Sequence, residues 1–208
     1  MFSSNIPSTL KARDILDRAL IAIDIPEGVI TIDEFVFQHC QKLERITFPE
    51  CLVRIRQYAF CGCIALRKIE IPASVNHLGA GIFSGCFSLE RVILPKQLAK
   101  IGTRFFYECT GLKEVLLPDV CEIHMEAFAF CKELEKIILP SSLSRIGKRA
   151  FYHAESLREV ILPSSVIRIE DEAFYGCDSL QSVTIPKRFA NDLLRIFGKD
   201  SFESIHYI

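Results

Sequence analysis

The sequence predicts an α/β solenoid, a coil that stacks short strands into a parallel β-sheet with short helices or 3-10 turns between them. Three observations point there: prolines at a near-constant step, a phenylalanine at one fixed place after each, and an apolar pattern around both. Pro26, Pro49, Pro72, Pro95 and Pro118 lie 23 residues apart, Pro140 follows after 22, and Pro163 and Pro186 resume the 23-residue step. A unit this short cannot bury an apolar face alone, so neighbours must stack, with adjacent strands ~4.8 Å apart.

Taken in order, residues 1–25 are expected to form an N-terminal cap. Pro7 precedes a polar-rich helix over residues 8–18 with Leu10, Ile15 and Leu16 inward, and Leu20, Ile23 and Ile25 supply a first strand. Residues 26–185 hold seven repeats of 22 or 23 residues. Counting from each repeat proline, positions 3 and 6 are apolar, as in Val29 and Ile32 or Leu52 and Ile55. Position 11 is always Phe: Phe37, Phe60, Phe83, Phe106, Phe128, Phe151 and Phe174. Position 14 is Cys in six repeats (Cys40, Cys63, Cys86, Cys109, Cys131, Cys177) and Ala154 in the other. Leu66, Ile69 and Ile71 end on the alternation of a half-buried strand, and Pro72 stops it where no further ladder donor is needed. Ala127, Phe128, Cys131 and Leu134 place apolar side chains three apart, as a single helical or 3-10 turn does on one buried face. Each repeat thus reads as one short strand, a loop and one short turn. The 22-residue repeat has lost a loop residue between Pro118 and Val120, because Ile123, Phe128 and Cys131 regain the pattern one place early. Residues 186–208 are expected to be a C-terminal cap. Phe189 and Phe197 keep the repeat spacing, Ala190–Ile196 reads as a longer helix closed by Gly198, and Ser204–Ile208 as a last strand. Capped arrays are complete folding units, so residues 1–208 are expected to form a single domain.

Composition narrows the function. The chain has 208 residues with 25 Lys and Arg against 26 Asp and Glu, a net charge of −1. That balance offers no general attraction to nucleic acid or anionic lipid. No apolar run approaches the ~20 residues of a membrane helix, so membrane insertion is not expected. Lys11, Arg13, Asp14, Asp17 and Arg18 break up the stretch that a secretory signal would need, and the apolar run from Ala19 stops at Asp24. The reading is a cytoplasmic protein, with a secreted or cell-surface location as the alternative.

Nine cysteines raise disulfide, metal and redox chemistry as possibilities. Six recur beside the Phe row, where free cysteine behaves as a small hydrophobe, and Ala154 replaces one without disturbing the pattern. Parallel side chains in one ladder oppose the torsion of a disulfide, so reduced thiols are expected. Cys61-Gly-Cys63, with His39 and Cys86 on neighbouring rungs, is tighter than the paired knuckles of zinc sites, and neither metal nor cofactor is expected. His39, His77, His124, His153 and His206 do not converge, and a buried Cys131 beside His153 would be an inert nucleophile. No phosphate-binding glycine loop, Gly-x-Ser-x-Gly elbow or His-Glu-x-x-His pair occurs. Gly102 and Gly147, after the position-6 isoleucine, read as turn residues. No residue is assigned to catalysis, and the chain is read as a non-enzyme.

The surfaces remain. The strand residues at positions 18, 19 and 21 point outward. Position 18 alternates in sign, Glu44, Arg67, Glu90, Lys113, Glu135 and Arg158 before Gln181, and reads as a charge ladder of ~0.2–1 kcal/mol per pair. Position 19 is mixed: Arg45, Lys68, Arg91, Glu114, Lys136, Glu159 and Ser182. Such a strip suits a protein better than a nucleic-acid backbone. Position 21 exposes Ile93, Leu116, Ile138 and Ile161 on four consecutive middle rungs, between Thr47 and Glu70 before and Thr184 after. An aliphatic stripe rimmed by charge is an interface signature, so these four and Arg91, Glu114, Lys136 and Glu159 are the candidate partner-binding residues.

Units such as Ile71-Pro-Ala-Ser-Val-Asn-His-Leu-Gly-Ala-Gly-Ile-Phe-Ser-Gly-Cys-Phe-Ser-Leu89 resemble the BspA-type (Treponema pallidum type) leucine-rich repeat. The resemblance covers residues 20–208, and a 23-residue period lies inside the leucine-rich range. It implies a curved, right-handed solenoid with the parallel β-sheet on its concave face and short helices or 3-10 turns on its convex face, one that binds proteins or surfaces, as in family members that are often surface or secreted proteins of bacteria and mucosal protozoa. The expected function is a non-catalytic scaffold, monomeric, with a protein partner on the concave sheet. The alternative is an adhesin for host or matrix proteins.

Overall fold

A computed structural model of the protein describes residues 8–208; Pro7 and the rest of residues 1–7 of the expected cap lie outside the described residues. Two kinds of strand alternate along the chain. They begin as β1 (Thr9–Leu10), β2 (Ala22–Asp24), β3 (Thr31–Ile32), β4 (Arg45–Thr47), β5 (Arg54–Ile55), β6 (Lys68–Glu70), β7 (His77–Leu78) and β8 (Arg91–Ile93). They continue as β9 (Lys100–Ile101), β10 (Glu114–Leu116), β11 (Glu122–Ile123), β12 (Lys136–Ile138), β13 (Arg145–Ile146) and β14 (Glu159–Ile161). The last are β15 (Arg168–Ile169), β16 (Ser182–Ile185) and β17 (Ser204–Tyr207). The even-numbered strands and β17 line up as one row, the odd-numbered strands from β1 to β15 as a second, and every pairing is parallel. The chain is therefore a parallel-strand β-solenoid of about nine turns.

Each repeat carries two strands where the sequence suggested one. The additional strand lies at positions 5 and 6, where a residue such as Arg54 faces solvent and Ile55 is buried. Its neighbours complete the ladder: the N–H groups of Val53 and Arg56 donate to the Ile30 and Ile32 carbonyls at 2.8 and 2.9 Å.

The expected helix or 3-10 turn of each repeat does not form. From Phe35 to Cys40, alternate N–H groups leave the segment: Phe37 donates to Ala59 O at 2.8 Å and His39 to Cys61 O at 2.7 Å. Those between close tight turns, Gln38 on Phe35 O and Cys40 on Phe37 O. A helix needs its N–H groups for itself, and the stacked neighbour takes half of them. Positions 9 and 13 adopt left-handed backbone, with φ of 59° at Phe35 and 57° at His39. At Gly62, Gly81 and Gly176 the preceding rung uses the space: an added Cβ would overlap the His39 ring at Gly62 and the Tyr58 ring at Gly81, and would sit 2.7 Å from His153 at Gly176. Gly102 and Gly147 are not left-handed. A Cβ on Gly147 would come within 2.7 Å of the His124 and Met125 backbone, so close rung packing accounts for that glycine rather than a turn.

The interior repeats as written in the sequence. Phe37, Phe60, Phe83, Phe106, Phe128, Phe151 and Phe174 are fully buried. Their rings stack in one column at 4.8–5.9 Å, and Phe197 extends it at 5.3 Å from Phe174. The six position-14 cysteines lie beside this column, all buried. Five donate their thiol to the Phe carbonyl of the preceding repeat: Cys63 to Phe37 O, Cys86 to Phe60 O, Cys109 to Phe83 O and Cys131 to Phe106 O at 3.1–3.2 Å, Cys177 to Phe151 O at 3.3 Å.

Both ends differ from expectation, the N-terminal one more: the expected helix over Ala190–Ile196 is shortened to Leu193–Phe197. Residues 8–18 contain β1 and a 3-10 turn, Ala12–Asp14, in place of a helix, because Leu10 pairs with Ile32 as a further rung. Leu10 and Ile15 are buried, but Leu16 is 92% exposed. At the other end a 3-10 turn, Lys187–Phe189, leads to helix α1 (Leu193–Phe197), which Gly198 closes at φ 72° with its N–H on Leu194 O. β17 then pairs with β16.

Candidate interaction face

The even-numbered row builds the face. In β6, β8, β10, β12 and β14 the middle residue is buried and both neighbours are exposed, so positions 19 and 21 project together from the sheet. Ile93, Leu116, Ile138 and Ile161 are 41, 69, 52 and 55% exposed. Leu116 lies directly opposite Ile138 in the ladder, and Glu114 opposite Lys136.

The row is not evenly bonded. Its strands pair as β2 with β4, β6 with β8, β10 with β12, and β14 with β16, which pairs in turn with β17. A depression lies over each interval between these groups. That between β8 and β10 holds about 470 Å³ and is lined by Arg91, Ile93, Glu114 and Leu116, among others. That between β12 and β14 also holds about 470 Å³, lined by Lys136, Ile138, Glu159 and Ile161 with neighbours. The eight candidate residues thus fall into two groups of four, one per depression. A third, of about 280 Å³ between β4 and β6, has Arg45, Lys68 and Arg91 at its rim. Every rung carries the same residue pattern, so no signal in the sequence announces the intervals. The charge ladder at position 18 closes at one step among the described residues, Arg67 with Glu90 at 3.4 Å. Exposed pairs of this kind contribute ~0–1 kcal/mol, and the remaining charges stay available at the rim.

The cysteine and histidine candidates do not assemble into a centre. Among the described residues no group of three His, Cys, Asp or Glu is placed to hold a metal ion, and all nine cysteines are free. Cys63 and Cys86 sit in the inner column with their thiols on carbonyls, whereas Cys61 is only half-buried. Burial pushes the thiols of Cys63, Cys86, Cys109 and Cys131 far up from their ordinary range, and that of Cys177 up to about 12. Neutral thiols of this kind are poor nucleophiles. His153 stacks on Phe130 at 5.6 Å and meets Tyr175 edge-on, on the turn side of the coil. Among the described residues no helix is long and apolar enough to cross a membrane.

Comparison with known proteins agrees with this architecture. A leucine-rich repeat protein from Eubacterium ventriosum is similar with a TM-score of 0.68 and 26% identity, over 75% of this chain and 42% of that one. One from Bacteroides ovatus matches with a TM-score of 0.65 and 26% identity, over 92% and 61%. A leucine rich cell surface protein from Faecalibacterium prausnitzii matches with a TM-score of 0.55 and 26% identity, over 90% and 60%. The chain therefore spans less than two thirds of the length of these relatives. No curated protein sequence matches it. The profile of the BspA type leucine rich repeat region matches residues 17–124 and 121–207, in six copies. With the 23-residue proline step and the continuous Phe column, that match makes the chain a member of the BspA-type leucine-rich repeat family.

Proposed function

We propose that the chain is a non-catalytic scaffold that binds a protein partner on the face of its three-residue strands. The observation that carries this reading is the run of Ile93, Leu116, Ile138 and Ile161, exposed on consecutive rungs over two charge-rimmed depressions. Solvated sheet faces normally alternate apolar-in and polar-out, and four aliphatic residues facing water in sequence depart from that rule. We take the coil as right-handed, the hand of nearly all parallel crossovers, with this face concave. Residues 26–185 then present the face, and the segments before and after close the array as caps. The protein acts as a monomer, and mixed rim charges select a polypeptide over nucleic acid.

A second reading, a secreted or cell-surface adhesin for host or matrix proteins, is favoured by the Faecalibacterium relative, which is described as a cell surface protein. Capture of partners from the producing organism's cytosolic, envelope and medium fractions tests both. Wild type should retain a defined partner, and Ile138→Asp and Ile161→Asp should lose it while keeping the wild-type melting midpoint. The fraction that yields the partner decides between a cytoplasmic and a surface role. Equal retention by both variants would refute binding on this face.

A further inference from the structure

The odd-numbered row carries a depression of its own. It holds about 470 Å³ across β5, β7 and β9, over a floor that includes Gly79, Ala80, Gly102 and Thr103. The same place is where that row breaks. β1, β3, β5 and β7 form one ladder, and β9, β11, β13 and β15 another. In the other six repeats the position-7 N–H donates to the preceding rung, as Gly79 does to Ile55 O and Gly147 to Ile123 O. Gly102 is the exception: among the described residues its N–H has no backbone acceptor.

The break has a packing cause. Position 10 is Val36, Ala59, Ile82, Ala127, Ala150 or Ala173 in the other repeats and Phe105 in this one. The Phe105 ring is fully buried, edge-on to Phe83 of the preceding repeat at 5.7 Å and to Phe106 at 4.8 Å. The two widest steps of the Phe column, 5.9 and 5.7 Å, meet at Phe83. Interiors are close-packed, so an extra ring is accommodated by moving backbone, here at the β7–β9 step, where the ladder opens while the Gly81 N–H still reaches Thr103 O at 2.9 Å and the Phe83 N–H reaches Phe105 O at 3.0 Å. A Cβ on Gly102 would accordingly find its nearest neighbour at 3.5 Å, against 2.7 Å at Gly147.

The charges around the break are unusual for this row. Arg54, His77 and Lys100 occupy position 5 of three consecutive repeats, all exposed, and none is in an ion pair among the described residues. Further along, Arg145 and Arg168 share Glu170 at 2.7 and 3.2 Å. At the groove itself Arg56 is paired with Asp33 and His124 with Glu122, and Glu34 is the remaining carboxylate in the lining.

We propose that this groove binds one compact oxyanion, a sulfate or phosphate group, held by Arg54, His77 and Lys100 at the rim and by the free Gly102 N–H in the floor. Charged donors together with an unpartnered backbone N–H form the donor set that such groups take up. Arg54, His77 and Lys100 span about 10 Å, two rung steps, which suits one group and not the extended phosphate track of a nucleic acid. Gly102 lines the groove and has no side chain of its own to cover its backbone.

Titration of 15N-labelled protein with inorganic sulfate, pyrophosphate and a sulfated disaccharide reads the Gly102 amide directly, with the unsulfated disaccharide as reference. Saturable shifts centred on Gly102 are expected with at least one of the three anions and not with the reference. Binding of the free ions would assign the group to a soluble anion, and binding of the sulfated disaccharide alone to a glycan. The Arg54→Ala/Lys100→Ala variant, altered at two exposed positions, should keep the wild-type spectrum elsewhere and bind at least about tenfold more weakly. Absence of a saturable Gly102 shift with all three anions, or unchanged affinity in the variant, would overturn the proposal.

Discussion

Phe128→Ala removes one ring from the middle of the column. Phe128 is fully buried and stacks on Phe106 at 5.2 Å and on Phe151 at 5.1 Å. A buried Phe withdraws ~150–250 Å² from water, worth about 4–6 kcal/mol at ~25 cal/mol per Å². Alanine retains a small part of that, and the vacated ring leaves a cavity between two rigid rungs, so a loss of about 3–5 kcal/mol is expected. Set against a total of ~5–15 kcal/mol for a typical domain, this is a large fraction. Because each rung touches only its neighbours, the damage should stay local and divide the array in two. Urea unfolding followed by circular dichroism should give a lowered or biphasic transition. Hydrogen exchange should show protection lost around Phe106, Phe128 and Phe151 and kept around Phe37 and Phe197. A single cooperative transition with an unchanged midpoint would refute the reasoning.

Two further outcomes follow from the same packing. Gly147→Ala should destabilise the fold by about 1–3 kcal/mol through its clash with the His124 and Met125 backbone, whereas Gly102→Ala should lie within about 0.5 kcal/mol of wild type; equal thermal shifts for the two would contradict the unequal rung spacing. Stability should also fall in alkali. The unfolded chain releases its thiol protons near pH 9, while burial holds those of the folded chain, with Cys177 up to about 12. The thiols therefore leave folding intact below about pH 9 and oppose it as pH rises above that, by about 1.4 kcal/mol per buried thiol per pH unit. Urea midpoints between pH 8 and pH 10.5 should fall less steeply for Cys131→Ala than for wild type, and parallel slopes would contradict the account.

Much of this fold is legible in one dimension because a solenoid repeats its contacts with its sequence. Phe128 meets Phe106 and Phe151 since each occupies position 11, and stacking turns a shared position into a shared column. Alternation likewise places Leu116 and Ile138 outside and Val115 and Ile137 inside. The turn segment is ambiguous in sequence because spacing of three satisfies both a helical turn and a chain of tight turns. Which one forms depends on where the N–H of Phe37 goes, and it goes to Ala59 of the next rung. The short strands of the odd-numbered row leave no signal for a related reason: two residues are too few for periodicity to register.

The repeat, its register, the buried Phe and Cys columns and the outward aliphatic run are all readable from residue order, because each is a property of a single unit copied along the chain. How neighbouring copies settle against one another is a matter of three-dimensional packing. It grouped the even-numbered strands and opened depressions between the groups, and it broke the odd-numbered ladder where Phe105 adds a ring. Spacing between rungs is set by the combined volume of two neighbouring repeats, and no single repeat contains that information.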